Sequence, residues 1–440
     1  MLCSANSIKF SSYNFGFALI RETHSMHLLK KQQYTARLKM ATLLCCVLTS
    51  CQGVDAQRGL FNFERISLDE NFPGGYGVEL ADIDGDSLLD VVALSINPAQ
   101  FVWYKNPGWE KYSISTVTAA NIDAAPNDID GDGDVDLVLA SGFSLGNSTA
   151  GGLMHWLENP GNPTQSQQWQ MHSIGQVPTT HRVKWGDING DGIDELLSLP
   201  IIGVGASAPD YSVNVSLRAY QIPQDPKKGS WPSVVLDQSL QMSHGLSIAD
   251  WNDDGRDDIL TASFYGVHLI QLASRGQAVA KQYLAMGNQE KERPAIGSSE
   301  IGIGMVDIAS SNIVDRRFLA TIEPWHGNEV VVYTAGNNRN ALWNREVIGD
   351  DLSSGHALQI VDLDNDGNDE IVAGGRSEPF QLSIFYFDEN EQKWQRSVLD
   401  AGGIAVSGLA IGDINADGFK DIIGIGSSSQ NVVYYRNPGN

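Results

Sequence analysis

The sequence predicts an all-β fold, a seven-bladed β-propeller over residues 60–440 that leaves no second domain. Three observations predict it: an Asp-rich loop that recurs, a β-prone run after each copy, and a chain that stops one strand short of a repeat its own beginning supplies. Six loops share the form D-x-[DN]-x-D-[GS]-x-x-[DE], and a seventh unit keeps only its first carboxylate, Asp307. The loops start at residues 82, 128, 187, 250, 307, 362 and 413, a spacing of 46 to 63. Each period has room for four strands. Two flank the loop ("VVALS", "LVLAS" and "ILTAS" follow it), a third can end in Asn-Pro ("FVWYKNP", "LMHWLENP", "NVVYYRNP"), and a fourth reads "KYSISTV" or "WQMHSIG". Four short strands per period, with glycine turns, is the pattern of a propeller blade. The chain ends after a third strand, while "FNFERISLD" from Phe61 reads as a fourth strand with no blade before it. Pairing the two would close the ring and remove the open edges. A row of separate β-sandwiches would leave that strand unexplained.

Ahead of the repeats, "RLKMATLLCCVLTSC" has basic Arg37 and Lys39, an apolar run from Ala41 to Val47, and the box Leu48 to Cys51. The run is too short to span a bilayer and reads as a signal peptide over residues 1–50. The box resembles bacterial lipoprotein signals, which makes Cys51 the lipidated first residue, followed by a short linker over 51–59. A signal starting at Met26 already has normal length, so the residues before it read as an over-extended start. The expectation is an exported bacterial lipoprotein of the periplasm or outer membrane, tied to the membrane by a lipid anchor. All four cysteines (Cys3, Cys45, Cys46, Cys51) fall in the first 51 residues. The mature chain therefore has no disulfide and must be held by its core or by metal. The full sequence's formal charge of −24 excludes a nucleic-acid footprint. Removing six basic residues and one acidic residue with the leader lowers it to −29. The oligomeric state is left open.

The acidic loops explain much of that charge. Carboxylates at positions 1, 3 and 5, a turn glycine at 6 and an acid at 9 wrap oxygens around one hard cation, as in the first half of an EF-hand loop. The calcium ligands expected are Asp82, Asp84, Asp86 and Asp90 in the first loop, and Asp128, Asp130, Asp132 and Asp136 in the second. Then follow Asp187, Asn189, Asp191 and Glu195, and Asp250, Asn252, Asp254 and Asp258. Asp362, Asp364, Asp366 and Glu370, and Asp413, Asn415, Asp417 and Asp421 complete the set. Ser87 replaces the glycine of the first loop. Without Ca²⁺ the 21 acids at these positions repel one another.

A histidine stands six residues before three of the loops: His181 before Asp187, His244 before Asp250 and His356 before Asp362. The loop joins strands one and two at the bottom of a blade, so this offset places the histidines at the top of the innermost strand, around one channel mouth. Blade five has Ile301 there but offers His326, in "EPWHGNEV", from a turn on the same face; Tyr76, Ile122 and Ser407 hold the place elsewhere. His155, His172 and His268 fall on outer strands. Imidazoles suit Zn²⁺ or another divalent transition metal, and three with an open position form a catalytic arrangement. His181, His244 and His356 are the ligands expected, with His326 close by. A repeat can also copy a purely structural histidine.

The loops resemble the FG-GAP/VCBS repeats of integrin α-chains and bacterial surface proteins, a scaffold shared by many functions. "HRVKWGDINGDGIDELLSLPIIG", "HGLSIADWNDDGRDDILTASFYGV", "RRFLATIEPWHGNEVVVY" and "GHALQIVDLDNDGNDEIVAGG" resemble, more narrowly, the propeller domain of aldos-2-ulose dehydratases. That resemblance implies a lyase acting on 1,5-anhydro-D-fructose or a related 2-keto sugar. It does not extend to cupin domains, so no isomerase step is implied. Elimination next to a ketone needs a polarised carbonyl, a base for the α-proton and an acid for the β-hydroxyl. The histidines, Tyr265 and Glu323 are candidates for the acid–base steps. Arg182, Lys184, Arg376, Tyr76 and Trp325 are candidates for binding the sugar, with Trp325 placed to stack on its face. Two other functions stay open: a polysaccharide lyase acting by β-elimination, and a non-catalytic adhesion or carbohydrate-binding propeller.

Overall fold

A computed structural model describes residues 61–273, 277–308, 316–336, 338 and 341–439. The leader, Cys51 and the linker lie outside these residues. Seven antiparallel sheets of four strands each make a β-propeller. Among the described residues there is no α-helix, only a 3-10 turn at Pro163–Gln165, and no helix is long and apolar enough to cross a membrane. The first blade runs outward through Gly75–Ala81, Asp90–Ser95, Gln100–Lys105 and Glu110–Ser115. The other inner strands are Asp123–Asn127, Thr180–Gly186, Gly245–Ala249, Glu300–Met305, Gly355–Val361 and Val406–Gly412. Each acidic loop lies between the first and second strands of its blade, as the repeat predicts.

The outermost strand of the seventh sheet is Glu64–Asp69, antiparallel to Asn431–Arg436, with Glu64 opposite Arg436 and Asp69 opposite Val432. It starts three residues later than the sequence suggested. Phe61 and Phe63 pack against the apolar cluster between blades six and seven instead of joining the ladder.

The core lies between blades. Second strands such as Asp90–Ser95 and Asp136–Ser141 are buried along their whole length, because both faces are covered by neighbouring sheets. Trp103 and Trp156 belong to one apolar cluster that runs through blades one to three, and Val91 and Tyr104 of blade one meet Ile423 and Tyr434 of blade seven. The Asn-Pro ends of third strands tie neighbouring blades together. Asn106, Asn159 and Asn437 donate from Nδ2 to the carbonyls of Ile414, Ile83 and Leu363, each in the loop of the preceding blade, at 2.7–2.9 Å. Their backbone N–H groups donate to Asp90, Asp136 and Asp421 at 2.7 Å. The ninth loop acid therefore anchors the blade edge besides facing the loop.

Candidate functional site

Local backbone geometry aims the central side chains. Tyr76, His181, His356 and Ser407 each occupy the skipped position of a register shift in the inner strand. A bulge leaves one residue unpaired and re-aims its side chain, here toward the axis. His244 precedes its strand, its N–H bonded to the Ala262 carbonyl at 3.0 Å. His326 comes from the turn after Arg317–Glu323, at a left-handed φ of 45°.

The four imidazoles meet. Ring centroids are 4.3 Å apart for His181 and His244, 4.8 Å for His244 and His326, 5.0 Å for His244 and His356, and 4.9 Å for His326 and His356. The ring nitrogens of His244, His326 and His356 lie within 4.8 Å of one another. The trio differs from the expected one: His326 replaces His181. Nε2 of His181 is instead held by the Tyr76 hydroxyl at 2.8 Å, and its ring borders Phe143.

The expected mouth is roofed. His181, His244 and His356 are at most 1 % exposed. Above them sits an apolar cluster of Ile201, Ile202, Ala206, Met242, Phe264 and Ile296, with Phe143, Tyr211 and Trp325 packed on it. Trp325 meets the edge of His244 at 5.3 Å, so this indole is part of the roof. Burial drives the pKa of all four histidines well below 6.5, and the nearby Arg182, Arg376 and histidines add to this. Burial therefore favours the neutral form of each ring.

Partners then assign protons. Nδ1 of His356 lies 2.8 Å from the Ser407 carbonyl, which only accepts, so Nδ1 carries the proton and Nε2 is bare. The Tyr76 hydroxyl, 3.0 Å away, donates to that Nε2 and accepts from Nε2–H of His181. Arg376, always protonated, donates to Nδ1 of His326 at 3.0 Å, which leaves a proton on Nε2. Nδ1 of His181 and Nε2 of His244 and His326 are buried without a hydrogen-bond partner among the described residues.

Beneath the cluster the seven inner strands enclose a channel of about 500 Å³. Arg182 and Lys184 line it, one and three residues past His181, rather than the upper face where the sequence placed them. Glu79, Asp123 and Glu300 line it too, and none was singled out from the sequence. Burial pushes Glu79 and Glu300 up to about 7 and raises Asp123. Two expectations fail on geometry. Glu323 is buried away from the histidines, accepting from Ser298, Thr321, Tyr333 and Arg345 at 2.8–3.0 Å, and so is scaffold. Tyr265 is 38 % exposed beside Arg293, with no hydrogen bond or ring contact to the histidines among the described residues.

The acidic loops are wrapped as a cation requires. Asp82 accepts from the N–H groups of Asp86 and Ser87 at 3.0 and 2.9 Å, and Asp250, Asp362 and Asp413 repeat the pattern. Carboxylate oxygens of Asp82, Asp84 and Asp86, of Asp128, Asp130 and Asp136, and of Asp362, Asp364 and Glu370 gather within 4.8 Å. This donor set fits a hard cation such as Ca²⁺. Ser87 takes the glycine's left-handed conformation at φ 71°. In the first loop the Lys105 ammonium pairs with Asp84 and Asp86. In blade five, where the carboxylates are missing, Arg316 pairs with Asp307 at 2.7 Å.

Comparison with known proteins supports both resemblances. The family described as aldos-2-ulose dehydratase, beta-propeller domain, matches residues 151–336, which include His181, His244, Glu300 and His326. The FG-GAP-like repeat matches residues 82–139 and 362–424. Aldos-2-ulose dehydratase of Phanerodontia chrysosporium is 26 % identical over 325 residues, 68 % of this chain and 33 % of the fungal protein. The chain thus spans about a third of that relative's length. A solved structure of an Agrocybe aegerita lectin, described as recognising non-reducing terminal N-acetylglucosamine, aligns at a TM-score of 0.44 with 13 % identity. That alignment covers 78 % of this chain and 82 % of the lectin.

Proposed function

We propose that this propeller is a lyase of the aldos-2-ulose dehydratase kind, removing water from a 2-keto sugar such as 1,5-anhydro-D-fructose in the channel beneath the histidines. One observation carries the reading: buried imidazoles in mutual contact leave ring nitrogens of His181, His244 and His326 unpartnered. Buried polar atoms are normally satisfied, so a cluster of exceptions marks a place for a ligand. The distant likeness to aldos-2-ulose dehydratase supports a dehydratase-like relation.

A divalent transition ion such as Zn²⁺ suits the bare nitrogens of His244, His326 and His356, provided that Tyr76 and Arg376 give up their bonds to two of them. When bound, it would supply Lewis-acid polarisation of the carbonyl. The side chains supply the rest. An imidazole takes the α-proton, the C–H electron pair becomes the new C=C bond, and the β C–O bond breaks. The leaving hydroxyl takes a proton from Lys184 and departs as water. Arg182 and Arg376 hold negative charge that builds on the substrate oxygen. Burial keeps competing water out.

A polysaccharide lyase needs an open groove, which the roofed histidines do not offer. An adhesion propeller has no use for unpartnered imidazoles. Calcium in the loops, a lipid anchor at Cys51 and export to the periplasm or outer membrane complete the proposal. The test is incubation with 1,5-anhydro-D-fructose, following the ultraviolet absorbance of the enone, with zinc and calcium measured in the purified protein. Enone formation that His244→Ala and His326→Ala lower by about 100-fold or more supports the reading. Absence of enone from metal-replete protein overturns it.

A further inference from the structure

We infer that Glu300 is the positioning residue of this site: its carboxylate accepts the Nδ1–H of His244, which leaves Nε2 of that ring bare. The inference rests on the proposed function for its chemical meaning, but not for its geometry. Oε1 of Glu300 lies 2.6 Å from Nδ1 of His244, and both residues are buried. The approach is off the N–H direction, and neither atom has an aligned hydrogen bond. At that separation two lone pairs would repel, so the attractive arrangement has a proton between them. A small rotation of either group aligns it.

Every other histidine of the cluster has its proton assigned by a neighbour: His356 by Ser407, His181 by Tyr76 and His326 by Arg376. His244 touches the other three rings, and among the described residues Glu300 is the one placed to assign its proton. Arg182, 3.7 Å from the same Oε1, holds the carboxylate in place. The two neighbouring imidazoles then differ, with a bare Nε2 on His244 that accepts and an Nε2–H on His326 that donates. A carboxylate that orients a histidine in this way sets its tautomer and raises its basicity.

The backbone explains why Glu300 reaches the axis. Glu300 pairs with Ile322 and Ile301 with Thr321 in unbroken register, so this strand lacks the bulge that re-aims Tyr76, His181 and His356. The side chain that enters the cluster from this blade is the one before the repeat position. Ile301 packs instead in the apolar cluster between blades four and five.

The experiment uses protein with ¹⁵N-labelled histidine, the His244 signals being identified by their loss in His244→Ala. Wild type should show the Nδ1–H tautomer at His244. Glu300→Met, which keeps length but accepts no proton, should move it toward Nε2–H, whereas Glu300→Gln, which keeps an acceptor, should not. Enone kcat in Glu300→Met should fall by about 10- to 100-fold with KM within about twofold of wild type. An unchanged tautomer in Glu300→Met, or a rate equal to wild type, overturns the inference. If Glu300→Met does not fold, Glu300→Ala carries the same measurement. Should wild type form no enone, the dehydratase reading falls, and the tautomer signal still decides the role of Glu300.

Discussion

The hydroxyl of Tyr76 donates to Nε2 of His356 across 3.0 Å, joining blades one and six over the axis of the propeller. Its oxygen also accepts from His181 at 2.8 Å, so one phenol fixes the orientation of two imidazoles. Tyr76→Phe keeps the ring and deletes both bonds. Two net hydrogen bonds correspond to about 1–3 kcal/mol of stability. The expected outcome is a small fall in melting temperature and a fall of about tenfold or more in enone kcat. Equal rates would show the two histidines to be held by packing alone.

Calcium should stabilise the propeller, since a ligand bound only to the native state adds about 2.7 kcal/mol at a hundred times its Kd. EGTA is expected to lower the melting temperature, and calorimetry to show sites of unequal affinity. The first loop offers a sharper check. Lys105 pairs with Asp84 and Asp86 there, competing with a cation, so Lys105→Met should tighten calcium binding. Weaker binding in that variant would count against the loop as a cation site.

Glu64–Asp69 covers the outer edge of Asn431–Arg436. Removing residues 52–70 exposes that edge and should both lower the melting temperature and promote association between chains. Thermal unfolding and light scattering read the two effects. Unchanged curves would make the strand dispensable.

His268 supplies a pH dependence away from the site. It stacks on Tyr283 at 4.8 Å, and burial, with Lys281 nearby, lowers its pKa from 6.5 to about 4. The unfolded chain therefore binds this proton more tightly than the folded one. The contribution is fully present above pH 6.5 and is lost as pH falls toward 4, to about 3 kcal/mol. His268→Phe keeps the stack and removes the titration. Its stability should fall less than that of wild type between these pH values, as measured by denaturant unfolding. Parallel curves would show that the histidine is solvated.

Much of the protein was legible in the residues themselves. The loop form, the strand count and the offset of His181, His244 and His356 are local or periodic, and repetition averages out the ambiguity of any single copy. They led to blade number, to the outer strand from the chain's beginning, and to the end of the channel where the histidines meet. What lay beyond them depends on contacts between residues far apart in the chain. The trio whose nitrogens converge includes His326, which a turn brings in from outside the repeat position, rather than His181. Glu323 resembles an acid at a strand end, yet Tyr333 and Arg345 turn it into scaffold. Glu300 enters the cluster from one residue before the repeat position, a matter of strand register that composition does not encode. The roof over the histidines is built from separate loops that carry no repeat. Periodicity places a residue on a strand; only packing decides which atom of its side chain faces the ligand and which proton it carries.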